Sequence, residues 1–296
     1  MKKFREQRVI LSLIVKKPIS LVSLLIVVSF IIIGVSAPLT VPYPEDAWGL
    51  TYNVEKRFLP PSIEHLFGTD ALGRDVFSRV LLGSSFSLII AIGVIGLSLI
   101  IGVPVGVVAG YYGGRVGTTL MRITDMFLAF PPLLLAIVLA ATLGRGLLNL
   151  IVALAISWWP WYSRLVYVQT NTVKNMPYID SAKIAGLPSF KIMTKHIIPN
   201  ALTPTFVQAA LDMGSAILEA AGLSFIGVGV KPPTPEWGLL VSEGWQSINY
   251  AWWIAFFPGL AILVTVVGFN LLADALRESA DPRIRRTILM RLGVKQ

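Results

Sequence analysis

The sequence predicts an all-α polytopic membrane protein with six transmembrane helices and both termini cytoplasmic. Composition is the first reason: 55% of the 296 residues are hydrophobic, only 14% are charged, and the mean hydropathy is +0.73. That balance lies outside the range of soluble globular domains. Length is the second, because the apolar residues fall into runs near the roughly 20 residues that carry a helix across hydrocarbon with its backbone polar groups satisfied internally. The third is the placing of lysine and arginine at alternate connections between the runs.

The runs are 19–37, 84–110, 120–142, 148–168, 201–226 and 252–274. A basic head precedes the first, and Val35-Ser36-Ala37 has the small residues of a signal-peptide cleavage site. The run is long for a signal peptide and Pro38 follows the site, so it reads as a retained span. In the second, Gly102, Gly106 and Gly110 recur every four residues with Pro104 among them. Small residues so spaced share one helix face and let a neighbouring backbone approach, which makes them packing positions rather than ligand contacts. The third and sixth runs contain internal prolines or polar residues.

Placing the N-terminus inside puts most of the 25 basic residues on the cytoplasmic side: Lys2, Lys3, Arg5, Arg8, Lys16 and Lys17, then Arg115, Arg122, Arg164, Lys174, Lys183, Lys191 and Lys195, and in the tail Arg277, Arg283, Arg285, Arg286, Arg291 and Lys295. Positive-inside bias therefore sets the orientation. It also accounts for the formal charge of +9 without nucleic acid, for which no exposed soluble face is available. The chain has no cysteine, and its two histidines, His65 and His196, fall on opposite sides of the membrane in this topology. No metal site and no catalytic residue is expected from such material.

Between the fourth and fifth spans lies "DSAKIAGLPSFKIMTKHIIPNALTP", residues 180–204, which joins apolar runs yet carries lysines and a Gly-Leu-Pro break. Asn175-Met176-Pro177 starts a helix whose Ile179, Ala182 and Ala185 share roughly one face. Gly186 suits the left-handed position just past a helix, and Pro188 the first turn of the next. The second helix, from about Ser189 to Ile198, places Phe190, Met193 and Ile197 on one stripe. Two short amphipathic helices at an angle make a docking knob, whereas an ordinary connecting loop would be short and polar.

The stretch resembles the coupling loop of ABC-importer permeases, with its Glu-Ala-Ala, three residues, a glycine, and about nine residues later an Ile-x-Leu-Pro. Asp180-Ser181-Ala182, Gly186 and Ile198-Pro199 occupy those places, Asp and Ser departing from the pattern. "FGTDALGRDVFSRVLLGSSFSL" (67–88), "HIIPNALTP" (196–204), "AGLSFIGVGVKPPTPEWG" (221–238) and "ADPRIRR" (280–286) resemble the second permease subunit of the dipeptide, oligopeptide and nickel importers. The similarity covers essentially the whole chain. It implies a type I ABC-importer transmembrane fold, a second homologous permease completing the pore, two ABC ATPase subunits below it, and an extracytoplasmic substrate-binding protein. Asp180, Ser181, Ala182, Gly186, Pro188, Ile198 and Pro199 would form the ATPase-coupling loop. No cofactor is expected on this chain; ATP and Mg would sit on the ATPases, and no phosphate-binding Gly-x-x-x-x-Gly-Lys-[Ser/Thr] is present here. Dipeptides, longer peptides, glutathione-like compounds, nickel and oligosaccharides are all carried within the family.

In the fifth span Thr205, Gln208, Asp212, Ser215 and Glu219 recur at alternating spacings of three and four, one helix face, with Phe206, Leu211, Ile217 and Leu218 elsewhere. Ionisable residues at membrane depth are costly and face a bundle interior or water. The stripe is expected to line the translocation path; a hydrogen-bonded seam with the partner permease is the other reading. Ahead of the second span, Thr69-Asp70 opens an expected external amphipathic helix with Leu72, Val76, Phe77, Val80 and Leu81 on one side. With the loop from Gly227 to Tyr250 it forms the expected landing surface for the binding protein.

The chain thus divides into 1–83 (cytoplasmic head, first span and external loop), 84–274 (permease core with the coupling loop at about 172–200) and a basic tail, 275–296. An ion-coupled secondary transporter using Asp212 and Glu219 is the rival class, against which stands the lack of an evident inverted repeat. A scaffolding subunit is a remoter one, separable by the absence of substrate-stimulated ATP hydrolysis.

Overall fold

A computed structural model describes residues 17–280, and among these the extended pairing is confined to one isolated bridge, Thr69 to Asp75. The head residues Lys2, Lys3, Arg5, Arg8 and Lys16 and the tail residues Arg283, Arg285, Arg286, Arg291 and Lys295, on which the expected orientation leans, lie outside the described residues. The helices are α1 (Pro18–Thr40), α2 (Pro44–Ala47), α3 (Val76–Tyr112), α4 (Gly114–Leu128), α5 (Pro132–Leu143), α6 (Leu147–Lys174), α7 (Pro177–Ile184), α8 (Ser189–Ile192), α9 (Ile198–Phe225), α10 (Trp237–Trp245) and α11 (Trp253–Ala280). They form two compact units, one of residues up to 88, 210–218 and 233 onward, the other of 89–209 and 219–232.

By length and composition four stretches can cross a membrane: α1, α3, the continuous Ser189–Phe225 and α11. A fifth is the pair α4 and α5, bent by 83°. Six uniform spans are therefore not what the structure presents. The expected third span breaks at Pro131-Pro132: Pro131 is extended, with ψ of 124°, and Pro132 begins the next helix. This is the conformation proline imposes on the residue before it. The expected fourth span, α6, is 28 residues long but carries Trp158, Pro160, Ser163, Arg164, Gln169 and Asn171. Much of α6 is buried in its own unit, from Leu150 through Tyr162 to Val173, so its surface meets protein and need not be uniformly apolar.

In the first unit, the expected amphipathic helix from Thr69 is absent. Asp70 to Gly73 make a turn, helix begins only at Val76, and that helix continues unbroken as the second span. Its charged residues are not a solvated face. Arg79, 1% exposed, donates from Nη1 to Asp70 Oδ2 (2.9 Å) and Glu243 Oε2 (2.9 Å), and from Nη2 to the Pro233 carbonyl (3.2 Å). Arg74 donates from Nε to the same Asp70 oxygen (2.7 Å). Asp75 caps α3 by accepting from Ser78 N (2.7 Å), and its other oxygen meets His65 Nδ1 (2.9 Å). Trp237 and Trp253 clamp the turn to α10 and α11, donating to the carbonyls of Val80 (2.9 Å) and Thr69 (3.1 Å). Buried charges persist only when paired and hydrogen-bonded, and these are.

In the second unit, the C-terminal half of α3 lies against α6 through its glycines. A Cβ on Gly102 would stand 2.8 Å from Trp159 O, on Gly106 2.5 Å from Ser163 O, and on Gly110 2.6 Å from Thr170 Cβ. Any larger side chain would force the two backbones apart. Lys174 closes the contact by donating to the Gly110 carbonyl (3.0 Å) near the end of α3.

Candidate functional site

The hairpin between α6 and α9 is built by its stop signal. Gly186 adopts φ of +74°, its N–H donates to Lys183 O (2.9 Å), and Leu187 N donates to Ala182 O (3.1 Å). That pair of bonds is a Schellman motif, which satisfies the last carbonyls of α7 and turns the chain. Space does not select glycine here, since a Cβ would meet nothing within 4 Å; the backbone conformation does. Pro188 follows in extended conformation and caps α8, its carbonyl accepting from Lys191 N (2.9 Å). Asp180 sits in the first turn of α7, where a negative charge suits the helix dipole, and accepts from Lys183 Nζ (2.8 Å). The Ser181 hydroxyl donates back to Pro177 O (3.2 Å).

One side of the hairpin is covered. Ile179, Ile192, Met193 and Ile197 are buried in a cluster with Val107, Val166, Val173 and Ala201, and Ala182 and Ile198 pack on its edge. Two expectations change here. The second short helix is not separate: α8 passes through a π-turn, Met193–Ile197, straight into α9, with Pro199 in the first turn. Phe190 does not share the stripe of Met193 and Ile197; it is 73% exposed, and Ile192 takes the buried place. Bonds from residue i to i+5 widen the turn and shift which residues share a face. The side facing away from the cluster carries two large exposed apolar residues, Phe190 and Ile184, the latter 89% exposed.

The polar stripe of α9 is graded in exposure. Thr205 is buried, its hydroxyl donating to Ala201 O (2.8 Å); Gln208, Asp212 and Glu219 are half-buried; Ser215 is exposed. Of the apolar positions around it, Leu211 and Ile217 are buried and Phe206 and Leu218 exposed. Thr205, Gln208 and Glu219 belong to the second unit, Asp212 and Ser215 to the first. Within the second unit the structure adds residues that sequence reading missed. Trp158 Nε1 donates to Glu219 Oε2 (2.8 Å), joining α6 to α9, and Arg164 pairs with Asp125, joining α6 to α4. An ionisable residue inside an apolar run was the available signal for Asp125; the spacing within α9 could not name its partner on α6.

Apolar helices of spanning length, with ionisable side chains tied between helices, mark an integral-membrane protein, and its capped hairpin carries an exposed apolar tip. The family described as binding-protein-dependent transport system inner membrane component matches residues 102–286, and the chain belongs to that family. It is similar to the dipeptide transport system permease protein DppC of Alkalihalophilus pseudofirmus, at 41% identity over 91% of this chain and 88% of the relative. A probable D,D-dipeptide transport system permease protein, DdpC of Escherichia coli K12, is 42% identical over 90% of this chain and 88% of its own. The glutathione transport system permease protein GsiD of Pectobacterium atrosepticum is 39% identical over 88% and 86%. Among solved structures, a chain of the MetNI methionine ABC transporter in an inward-facing conformation shares the fold, with a TM-score of 0.52 at 20% identity over 71% of this chain and 96% of that one. The protein is thus the permease component of a binding-protein-dependent ABC importer, a membrane protein that resembles peptide permeases over most of its length.

Proposed function

We propose that the chain is one of a pair of homologous permeases that together form the pore of a peptide importer. Two ABC ATPases drive it from the cytoplasm, and an extracytoplasmic binding protein delivers the cargo. Both termini lie inside, as the placing of lysine and arginine favours, and ATP and Mg are bound by the ATPases. The observation that carries the reading is the hairpin: its inner side is welded to α3 and α6 by Ile179, Ile192, Met193 and Ile197, while Ile184 and Phe190 project from the other side. A surface of this kind suits a cleft on an ATPase, and the shared core passes any displacement to the spans. Peptides, glutathione included, are the cargo favoured by the relatives' names.

The α9 stripe, Thr205, Gln208, Asp212, Ser215 and Glu219, lines the path in this reading. Single cysteines at Gln208, Asp212, Ser215 and Glu219, in a chain with no native cysteine, should react in the assembled importer with a small water-soluble thiol reagent. Their reactivity should change between the nucleotide-free and ATP-bound states. Cysteines at Phe206, Leu211 and Leu218 should stay unreactive. Equal labelling around the helix, or none on the stripe in any state, places the path elsewhere.

A further inference from the structure

We propose that the first unit holds one acyl chain of a membrane phospholipid as a fixed structural ligand, in a slot between α1, α3 and α11. The slot is a cavity of about 390 Å³ whose α1 wall is Val22, Leu25, Ile26, Ser29, Phe30 and Ile33. These positions follow the i, i+3, i+4, i+7 series of one helix face, so the slot runs along α1 rather than across it. At the α-helical rise they cover about 16 Å. That is the depth of one leaflet, half of a hydrocarbon core about 30 Å thick. The floor is buried: the rings of Phe30 and Trp237 meet with centroids 5.7 Å apart, and Val80 and Thr265 lie with them along the slot. The Trp237 N–H is turned to the Val80 carbonyl (2.9 Å) and the Ser84 hydroxyl to the Leu81 carbonyl, so the walls present mostly carbon.

The dimensions choose the occupant. Spread over that length, the volume leaves a mean cross-section of roughly 24 Å², room for a single hydrocarbon chain, whereas a helix of a partner subunit needs about 10–12 Å of width. The rim residues Val22, Leu25 and Val264 are exposed, and they border the exposed Val28 and Ile32 of α1 and Leu263 and Val267 of α11. The slot is therefore continuous with apolar surface of two membrane-spanning helices, and a chain in the surrounding hydrocarbon enters over the rim without crossing a polar barrier. Leaving lipid for the slot brings no hydrophobic gain, so what holds the chain is packing. Phe30, Val80 and Trp237 offer a fixed, close-packed surface, denser in contacts than fluid lipid.

The test reconstitutes the complete importer in phosphatidylethanolamine vesicles in which part of the lipid carries a diazirine midway along one acyl chain. After irradiation, the sites of adduct formation are mapped by peptide mass spectrometry. Adducts are expected on the buried floor, at Phe30, Trp237 and Thr265, beside those on Val28 and Ile32, which any surrounding lipid reaches. Ala261→Phe fills the slot from α11 and Ser29→Phe fills it from α1. Each should abolish the floor adducts and leave those on Val28 and Ile32 in place, the latter showing that the helices are still folded in the membrane. A wild-type floor without adducts overturns the proposal, and so do floor adducts that persist in both filled variants. A cysteine at Leu25 that cross-links to a second permease subunit in place of lipid assigns the slot to that subunit and overturns it too. Delipidated protein in detergent gives an independent reading: added phosphatidylethanolamine should raise the thermal midpoint of the wild type more than that of Ala261→Phe, and an equal rise in the two contradicts a lipid fixed in the slot.

Discussion

The charged turn before α3 and the hairpin before α9 sit ahead of long helices and are held by opposite means. The turn is locked by polar groups: Arg79 and Arg74 share Asp70, Glu243 joins them from α10, and Asp75 caps α3 while meeting His65. The hairpin is held by an apolar cluster on one side only, with a backbone motif for its bend. Directional bonds between buried charges admit one geometry, because a displaced partner leaves an uncompensated charge. Apolar contacts tolerate sliding. The first region is held by directional bonds between charges, the second by an apolar cluster and a backbone turn.

The largest effect should come from breaking the lock. Arg79→Ala leaves Asp70 with one cation fewer in a buried site, at a cost of about 3–5 kcal/mol, read as a lower thermal midpoint and reduced yield of purified protein. If Arg79→Ala has wild-type stability, the turn is not the rigid partner in the comparison. Next is the α3–α6 contact. Gly106→Val puts a branched side chain where a single Cβ already stands 2.5 Å from Ser163 O, and overpacking of this kind costs about 1–3 kcal/mol. Thermal unfolding in detergent should show the loss, and Gly96→Val, where a Cβ meets nothing within 4 Å, should not.

Gly186→Val sharpens the comparison from the other side. A side chain in the left-handed region costs about 1–2 kcal/mol, more when β-branched, and the hairpin absorbs it by reorienting. The chain should still insert, while uptake falls and co-purification of the ATPase weakens. Normal uptake with a normal complex would remove the docking role. The smallest effect belongs to Lys56 and Glu64, exposed partners 3.1 Å apart. The Lys56 hydrogen bond and charge hold the Glu64 carboxyl below its ordinary range, and Glu64 raises Lys56 in return. The depressed carboxyl contributes stability above its unfolded pKa and loses it as pH falls through the folded value, but water screens the pair. Lys56→Met should return the Glu64 titration upward, followed by carbon-13 chemical shift, with no measurable change in thermal midpoint.

Much of the architecture is written locally. The apolar runs mark the long helices, the four-residue repeat of Gly102, Gly106 and Gly110 marks a close-packing face, and Gly186 with Pro188 marks a stop and a start within three residues. What escaped depends on partners distant in the chain or on irregular turns. The stretch from Thr69 is expected as a surface helix and is instead a charged turn, because Glu243, which holds Arg74 and Arg79, lies 164 residues beyond Arg79. Phe190 was assigned by α-helical spacing to a face that the π-turn at Met193–Ile197 moves away from it. The Pro131-Pro132 break was visible as composition, but its 83° consequence is a matter of geometry. In α9 the stripe is periodic and so readable, whereas the tie from Glu219 to Trp158 crosses to another helix.

Site-directed cross-linking from the hairpin tip tests the central claim most directly. Cysteines placed singly at Ile184 and Phe190 in the otherwise cysteine-free chain would carry a short photoactivatable cross-linker in the complete importer. Both should capture an ATPase subunit, with yields that change on ATP binding, while a cysteine at the buried Ile192 captures none. An intact, transporting complex in which neither Ile184 nor Phe190 reaches an ATPase in any nucleotide state would contradict it.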